Sequence, residues 1–194
     1  MVAYDAQTAL LVVDVQNDFA DSKGSLYVKG GEEIVSSVND EAKNARAAGS
    51  LVVYTQDWHP PETPHFQDYG GIWPVHCVWD SWGAAFHPTL EVEGEIVRKG
   101  SGGEDGYSGF TVKDVGSGED RSTNLEELLR TRNIRRVVIA GLATDYCVKE
   151  TAIDATALGF EVNVMRAAVR AVNLQAGDDQ RAFEAMSEAG ARVT

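Results

Sequence analysis

Residues 9–15, ALLVVDV, run apolar without alternation until an aspartate breaks in near the end. That is the pattern of a strand buried on both faces. Gly30-Gly31 then opens a segment in which Ile34, Val35, Val38, Ala42 and Ala45 share one helical face, and Gly49 is a natural residue to end it. SLVVYTQ, residues 50–56, repeats the buried-strand pattern, so residues 9–56 predict one βαβ unit. From 57 to 94 the periodicity vanishes into prolines, glycines and tryptophans. A loop of that length inserted after the second strand of a compact domain usually has a function.

EIVRKG, residues 95–100, predicts a short third strand, and a glycine-rich stretch follows to about residue 121. Thr123 with Glu126 forms a capping-box pattern at the start of the helix NLEELLRTRN. RRVVIAG is a fourth strand, and LATDYC turns the chain into a helix with Val148, Ala152, Ala155 and Ala157 near its packed side, ended by Gly159. FEVNVM predicts a fifth strand, residues 178–189 a last helix and ARVT a short sixth strand. Strands alternating with helices predict a single α/β domain over 1–194. Its layers are α/β/α around a mostly parallel six-stranded sheet, because right-handed crossovers leave few other arrangements.

In such a sheet ligands bind beyond the C-terminal ends of the strands. Asp14 closes the first strand, Asp57 and His59 follow the second, Lys99 ends the third, and Cys147 opens the helix after the fourth. Four strands thereby deliver ionisable or nucleophilic groups to one rim. The overall charge narrows what that rim can bind. Seventeen basic against thirty acidic residues leave −13, which repels phosphate backbones and anionic lipid. No nucleic-acid or membrane partner is expected, and no apolar run approaches the ~20 residues of a membrane span. Cys77 and Cys147 are the only cysteines and form no CxxC pattern. With no basic-then-apolar leader, a reducing cytoplasm is the expected compartment.

Cys147 at a helix N-terminus has unpaired amides and the positive end of the dipole beside it, a setting that favours a thiolate and can hold an oxyanion. An aspartate after a run of apolar residues is costly to bury unless paired, and Lys99 is placed to pair Asp14. A carboxylate, an ammonium and a thiol at one rim supply a base, a charge-stabiliser and a nucleophile. No histidine is then needed as base. All four histidines nevertheless fall in the long loop, three of them between residues 59 and 76. In extended chain Asp57 and His59 point the same way. Pro60, Pro61 and Pro64 stiffen a turn able to bring back His65, and His76 arrives from further along. One carboxylate and three imidazoles suit one divalent transition metal, Zn²⁺, Fe²⁺ or Mn²⁺. His87, in FHP, lacks the spacing and reads as a loop residue.

These residues, in this order, resemble the nicotinamidase/pyrazinamidase branch of the isochorismatase-like cysteine hydrolases. The matching pieces are VVDVQNDF at 12–19, DWH at 57–59, His65, WPVHC at 73–77, FHP at 86–88, Lys99, GYSGF at 106–110 and AGLATDYCVKETAIDA at 140–155. The resemblance implies a catalytic triad of Asp14, Lys99 and Cys147, and metal ligands Asp57, His59, His65 and His76. It also implies a cis peptide joining Leu142 and Ala143, with the amides of Ala143 and Cys147 forming an oxyanion hole. The implied substrate is a small-molecule amide. Nicotinamide would be hydrolysed to nicotinate and ammonia through a thioester, and pyrazinamide would be accepted too. The ring would rest among Phe19, Trp73 and Tyr107. The residue before the nucleophile is often histidine in the family and is Tyr146 here, a departure that bears on substrate preference. The alternative within the superfamily is an amidase of carbamoyl or ureido compounds. Such relatives generally lack the metal ligands, and isochorismatase itself lacks the cysteine. Assembly as a homo-oligomer is left open.

Overall fold

The computed structural model describes residues 3–194, so the first two residues of the domain expected over 1–194 lie outside the described residues. In chain order the elements are β1 (Thr8–Val13), α1 (Asn17–Ala20), α2 (Val35–Ala47), β2 (Leu51–Asp57), β3 (Glu95–Lys99), β4 (Thr111–Lys113), β5 (Asp120–Ser122), α3 (Leu125–Thr131), β6 (Arg136–Leu142), α4 (Lys149–Ala157), β7 (Glu161–Arg170), α5 (Asp178–Glu188) and β8 (Arg192–Val193). Six strands form one parallel sheet in the order β3-β2-β1-β6-β7-β8. This is the six-stranded sheet that the alternation of patterns predicts.

β1 is apolar throughout because both its faces are covered. Ala9, Leu11 and Val13 pack into a core with Leu125 and Leu129 of α3, Ala152 and Ala155 of α4, and Phe183 and Met186 of α5. Leu10 and Val12 face the other way, onto Val35, Val38, Ala42 and Ala45 of α2. Successive strand side chains alternate faces, so an unbroken apolar run feeds two cores at once. Burying each of its larger side chains contributes about 1.5–3 kcal/mol. α2 ends as its sequence indicates. Gly49 takes φ +77°, its amide donates to Arg46, and that of Ser50 donates back to Ala45.

Three local expectations are corrected. The capping box at 123–126 is not made: the Thr123 hydroxyl accepts from the Leu125 amide and donates to the Gly109 carbonyl. Glu126 pairs with Arg130 one turn on. Ala157 is exposed, and Thr151 takes its place on the buried side of α4 beside Ala152 and Ala155. The glycine-rich stretch to residue 121 also contains an antiparallel ribbon, β4–β5, with Val112 opposite Arg121. Its strands have three residues each and β5 is wholly exposed, so no apolar alternation marks it. Residues 57–94 carry, besides the end of β2, a 3₁₀ turn at Gln67–Tyr69 and isolated backbone bridges such as His59–Val78 and Phe66–Trp73. Among the described residues no helix is long and apolar enough to cross a membrane.

Candidate active site and metal centre

The sheet order reverses direction at β1 and β6, and the register places the chemistry at their C-terminal ends. Val13 lies opposite Thr55 on one side and Gly141 on the other, while Asp57 lies opposite Lys99. Asp14, just past β1, is wholly buried with φ +47°. Its Oδ1 accepts from the Thr55 hydroxyl at 2.6 Å. Its Oδ2 lies 2.7 Å from Lys99 Nζ, an ion pair without hydrogen-bond alignment. The same ammonium lies 3.2 Å from Asp57 Oδ1 and 3.7 Å from Cys147 Sγ, and it donates to the Gly106 carbonyl. The structure therefore brings Asp14, Lys99 and Cys147 together, with the lysine touching both other members.

Burial decides the resting charges here. It pushes the Asp14 carboxyl above the ordinary range, against the pull of Lys99. Burial also works to discharge Lys99, but Asp14 and Asp57 outweigh it and hold the ammonium well above its usual value. Cys147 is pushed well above a free thiol, by burial first, with Lys99 opposing and the Asp14 and Asp57 carboxylates adding to the rise. Desolvation is the largest cause, so the sulfur favours its thiol form, which a base must deprotonate before it can attack.

Cys147 sits in a π-helical turn, Thr144–Val148, that leads into α4. The peptide joining Leu142 and Ala143 is cis. The Tyr146 and Val148 amides both donate to the Ala143 carbonyl at 3.1 Å. Cys147 and Ala143 line a pocket that also contains Phe19, Trp73 and Tyr107, the three expected ring contacts, together with Tyr146. Trp73 stands edge-on to Tyr146, with centroids 5.0 Å apart, and its Nε1 donates to the Tyr107 hydroxyl at 2.7 Å. Asp57, His65 and His76 reach the same pocket.

The long loop builds the histidine cluster. The backbone of His59 pairs with the chain at Cys77 and Trp79, which sets His76 beside it. Thr63 turns the proline segment by binding the His65 amide and the Gly103 carbonyl. His59, His65 and His76 are all buried, and one ligand atom from each lies within 4.8 Å of the others. Asp57 Oδ2 is 3.2 Å from His59 Nε2 and 3.5 Å from His76 Nε2. His87 stays apart, bonded to Thr89.

The donor set fits a metal on two observations. Neither ring nitrogen of the fully buried His59 has a hydrogen-bond partner, which is costly without an ion. His65 and His76 each spend Nδ1 on an oxygen, from Asp105 and from the Pro74 carbonyl, leaving Nε2 available. That is the usual outer arrangement around a metal-binding histidine. Burial, with His59 beside it and against the pull of Asp105, pushes His65 down to about 4, so its imidazole is neutral at pH 7. The site is that of a divalent metal.

Several residues of the site carry no sequence signal strong enough to single them out. Gln16 grips Asp57, donating to its carbonyl at 2.7 Å and accepting from its amide at 2.8 Å. Asp18 is buried and accepts from the Cys77 amide at 2.7 Å, tying the loop beside His76 to α1. Asp145 accepts from the amides of Val172 and Asn173, fixing the pocket wall to the turn that holds Cys147. The signal, where there is one, is a polar residue one or two positions from a reactive one. Gly100 takes φ +78°, and a Cβ there would lie 2.5 Å from His59 Cε1, so only glycine lets the imidazole pack on the end of β3.

An isochorismatase domain model matches residues 8–194. The nicotinamidase of Escherichia coli (strain K12) is 38% identical over 95% of this chain and 93% of its own. The structure of the pyrazinamidase of Pyrococcus horikoshii in complex with zinc is 38% identical, covers 97% of this chain and 98% of its own, and has a TM-score of 0.86. That of PnC1 from L. infantum in complex with nicotinate is 34% identical, covers 100% of this chain and 95% of its own, and has a TM-score of 0.89. The chain belongs to the isochorismatase family, on the branch that holds the nicotinamidases and pyrazinamidases.

Proposed function

We propose that this protein is a metal-containing cysteine amidohydrolase that converts nicotinamide to nicotinate and ammonia, and that accepts pyrazinamide. The observation that carries the reading is one aromatic-walled pocket shared by a thiol, itself beside a buried Asp–Lys pair, and by His65 and His76 of the three-histidine cluster. A carbamoyl- or ureido-directed amidase would use the same triad but has no need of that cluster or of the Trp73, Tyr107 and Tyr146 walls. Cys77 and Cys147 form no disulfide, as suits an enzyme acting in a reducing compartment such as the cytoplasm.

Asp14, its carboxyl raised toward neutrality, takes the proton from the Cys147 thiol. The sulfur attacks the carboxamide carbon, and the developing oxyanion is held by the amides of Ala143 and Cys147. The carbon–nitrogen bond breaks as Asp14 returns the proton to the departing ammonia, leaving a thioester on Cys147. Asp14, a carboxylate again, takes a proton from water as that water attacks the thioester. The carbon–sulfur bond then breaks, Asp14 returns the proton to the Cys147 sulfur, and the released acid ionises to nicotinate. Lys99 keeps both the thiolate and the carboxylate within reach of a fixed positive charge. Asp57, His59, His65 and His76 would hold the ion, which would supply Lewis acidity to a ring nitrogen or to water. Zinc, iron or manganese suits the donors, and zinc in the Pyrococcus relative supports zinc.

Benzamide has the shape and carboxamide of nicotinamide without the ring nitrogen, so it separates the two ways of selecting a substrate. The loaded protein should prefer nicotinamide in kcat/KM by a factor of about 10² or more. Chelation should shrink that preference, because the triad and aromatic walls remain. Equal discrimination by the metal-free protein would show that the aromatic pocket alone selects the ring.

A further inference from the structure

Three successive residues, Asp105, Gly106 and Tyr107, each hold a different part of the site. The Asp105 carboxylate binds His65 Nδ1, the Gly106 carbonyl accepts from Lys99, and the Tyr107 hydroxyl accepts from Trp73. Asp105 is itself fixed from behind. Its amide and carbonyl exchange 2.8 Å hydrogen bonds with Lys113 of β4, which joins this strap to the exposed ribbon. Two independent anchors, one through backbone and one through side chain, thus meet in a residue that lines neither the triad nor the aromatic walls.

We propose that Asp105 is the positioning residue of the metal centre: its carboxylate holds His65 with Nδ1 protonated, so that Nε2 presents a lone pair alongside His59 and His76. An imidazole whose remote N–H is bound to a carboxylate is fixed in tautomer and ring angle and is made a stronger donor. The ribbon is then part of the active site's support, although it touches no substrate. This inference rests on reading His59, His65 and His76 as metal ligands.

The test uses the full chain, zinc, and a chromophoric chelator competing for it. Asp105→Ala should bind zinc about 10- to 100-fold more weakly than the unaltered protein. Asp105→Asn, whose amide oxygen still accepts from Nδ1, should lose less. In a His65→Ala background, Asp105→Ala should cause no further loss, since the group it positions is gone. The metal-free melting temperature should change little, because the Asp105 carboxylate is partly solvated. ¹⁵N imidazole spectra of the metal-free protein should show His65 protonated on Nδ1, a readout that stands even if the alanine variant fails to fold. Unchanged zinc affinity in Asp105→Ala, an equal loss in the His65→Ala background, or an Nε2-protonated His65 would each overturn the inference alone. Unaltered protein that binds no zinc would overturn it together with the metal reading.

Discussion

Cys147 is a buried sulfur with the Lys99 ammonium 3.7 Å away, so its reactivity depends on what removes its proton. Cys147→Ala should abolish ammonia release while leaving fold and metal content intact. Cys147→Ser should be nearly as poor, because Asp14 would face a far weaker acid. Asp14→Asn separates a structural from a catalytic aspartate. Melting temperature should fall modestly, while single-turnover thioester formation should fall by orders of magnitude; fast thioester formation would mean another base. The raised carboxyl also fixes a pH dependence. The base works only when ionised, so kcat/KM should fall on acidification with a midpoint above the ~3.9 of a free aspartate. Thr55 donates to this carboxylate and lowers its pKa, so Thr55→Val should move that midpoint further up. For stability the sign is the reverse of the usual aspartate. A raised folded pKa favours the fold below the unfolded value and loses that contribution as pH rises through the folded one. The advantage of the unaltered protein over Asp14→Asn should therefore be largest in acid. Asp14, Lys99 and Cys147 were legible because each ends a strand or opens a helix in an otherwise apolar context. Thr55 was not, because a threonine inside a strand is ordinary.

Among the elements, those with a long apolar period were legible and those held by side chains were not. β1, β2 and α2 announce themselves because each buries a whole face. The β4–β5 ribbon buries almost nothing, and the capping box at 123–126 fails because Thr123 is drawn to the Gly109 carbonyl. Tertiary hydrogen bonds outbid a local pattern there. The gathering of the long loop's three histidines was legible from their spacing, but Gln16 and Asp18, which hold it at the end of β2 and at Cys77, lie far off in sequence. The end of β3 provides a test at this scale. Gly100→Ala adds a methyl 2.5 Å from the His59 ring at a φ that L-residues avoid. It should destabilise by about 1–3 kcal/mol and weaken zinc binding, measured by urea unfolding and chelator competition. A neutral substitution would mean that His59 is not pressed against the strand end.

For the whole molecule, the parallel sheet, its two cores and the switch point at β1 and β6 bring the proposed triad and the proposed metal ligands together at Lys99, which contacts Asp14 and Asp57 at once. Metal binding should then report on the entire fold. Zinc at about 100 times its Kd should stabilise the protein by ~2.7 kcal/mol, seen as a raised melting temperature that His59→Ala removes. The central claim is amide hydrolysis at Cys147, and the most direct measurement is ammonia release from nicotinamide by purified, zinc-loaded protein beside its Cys147→Ala variant. The account predicts one ammonia and one nicotinate per turnover from the unaltered protein and none above background from the variant. No ammonia from the unaltered protein, or equal release from both, would contradict it.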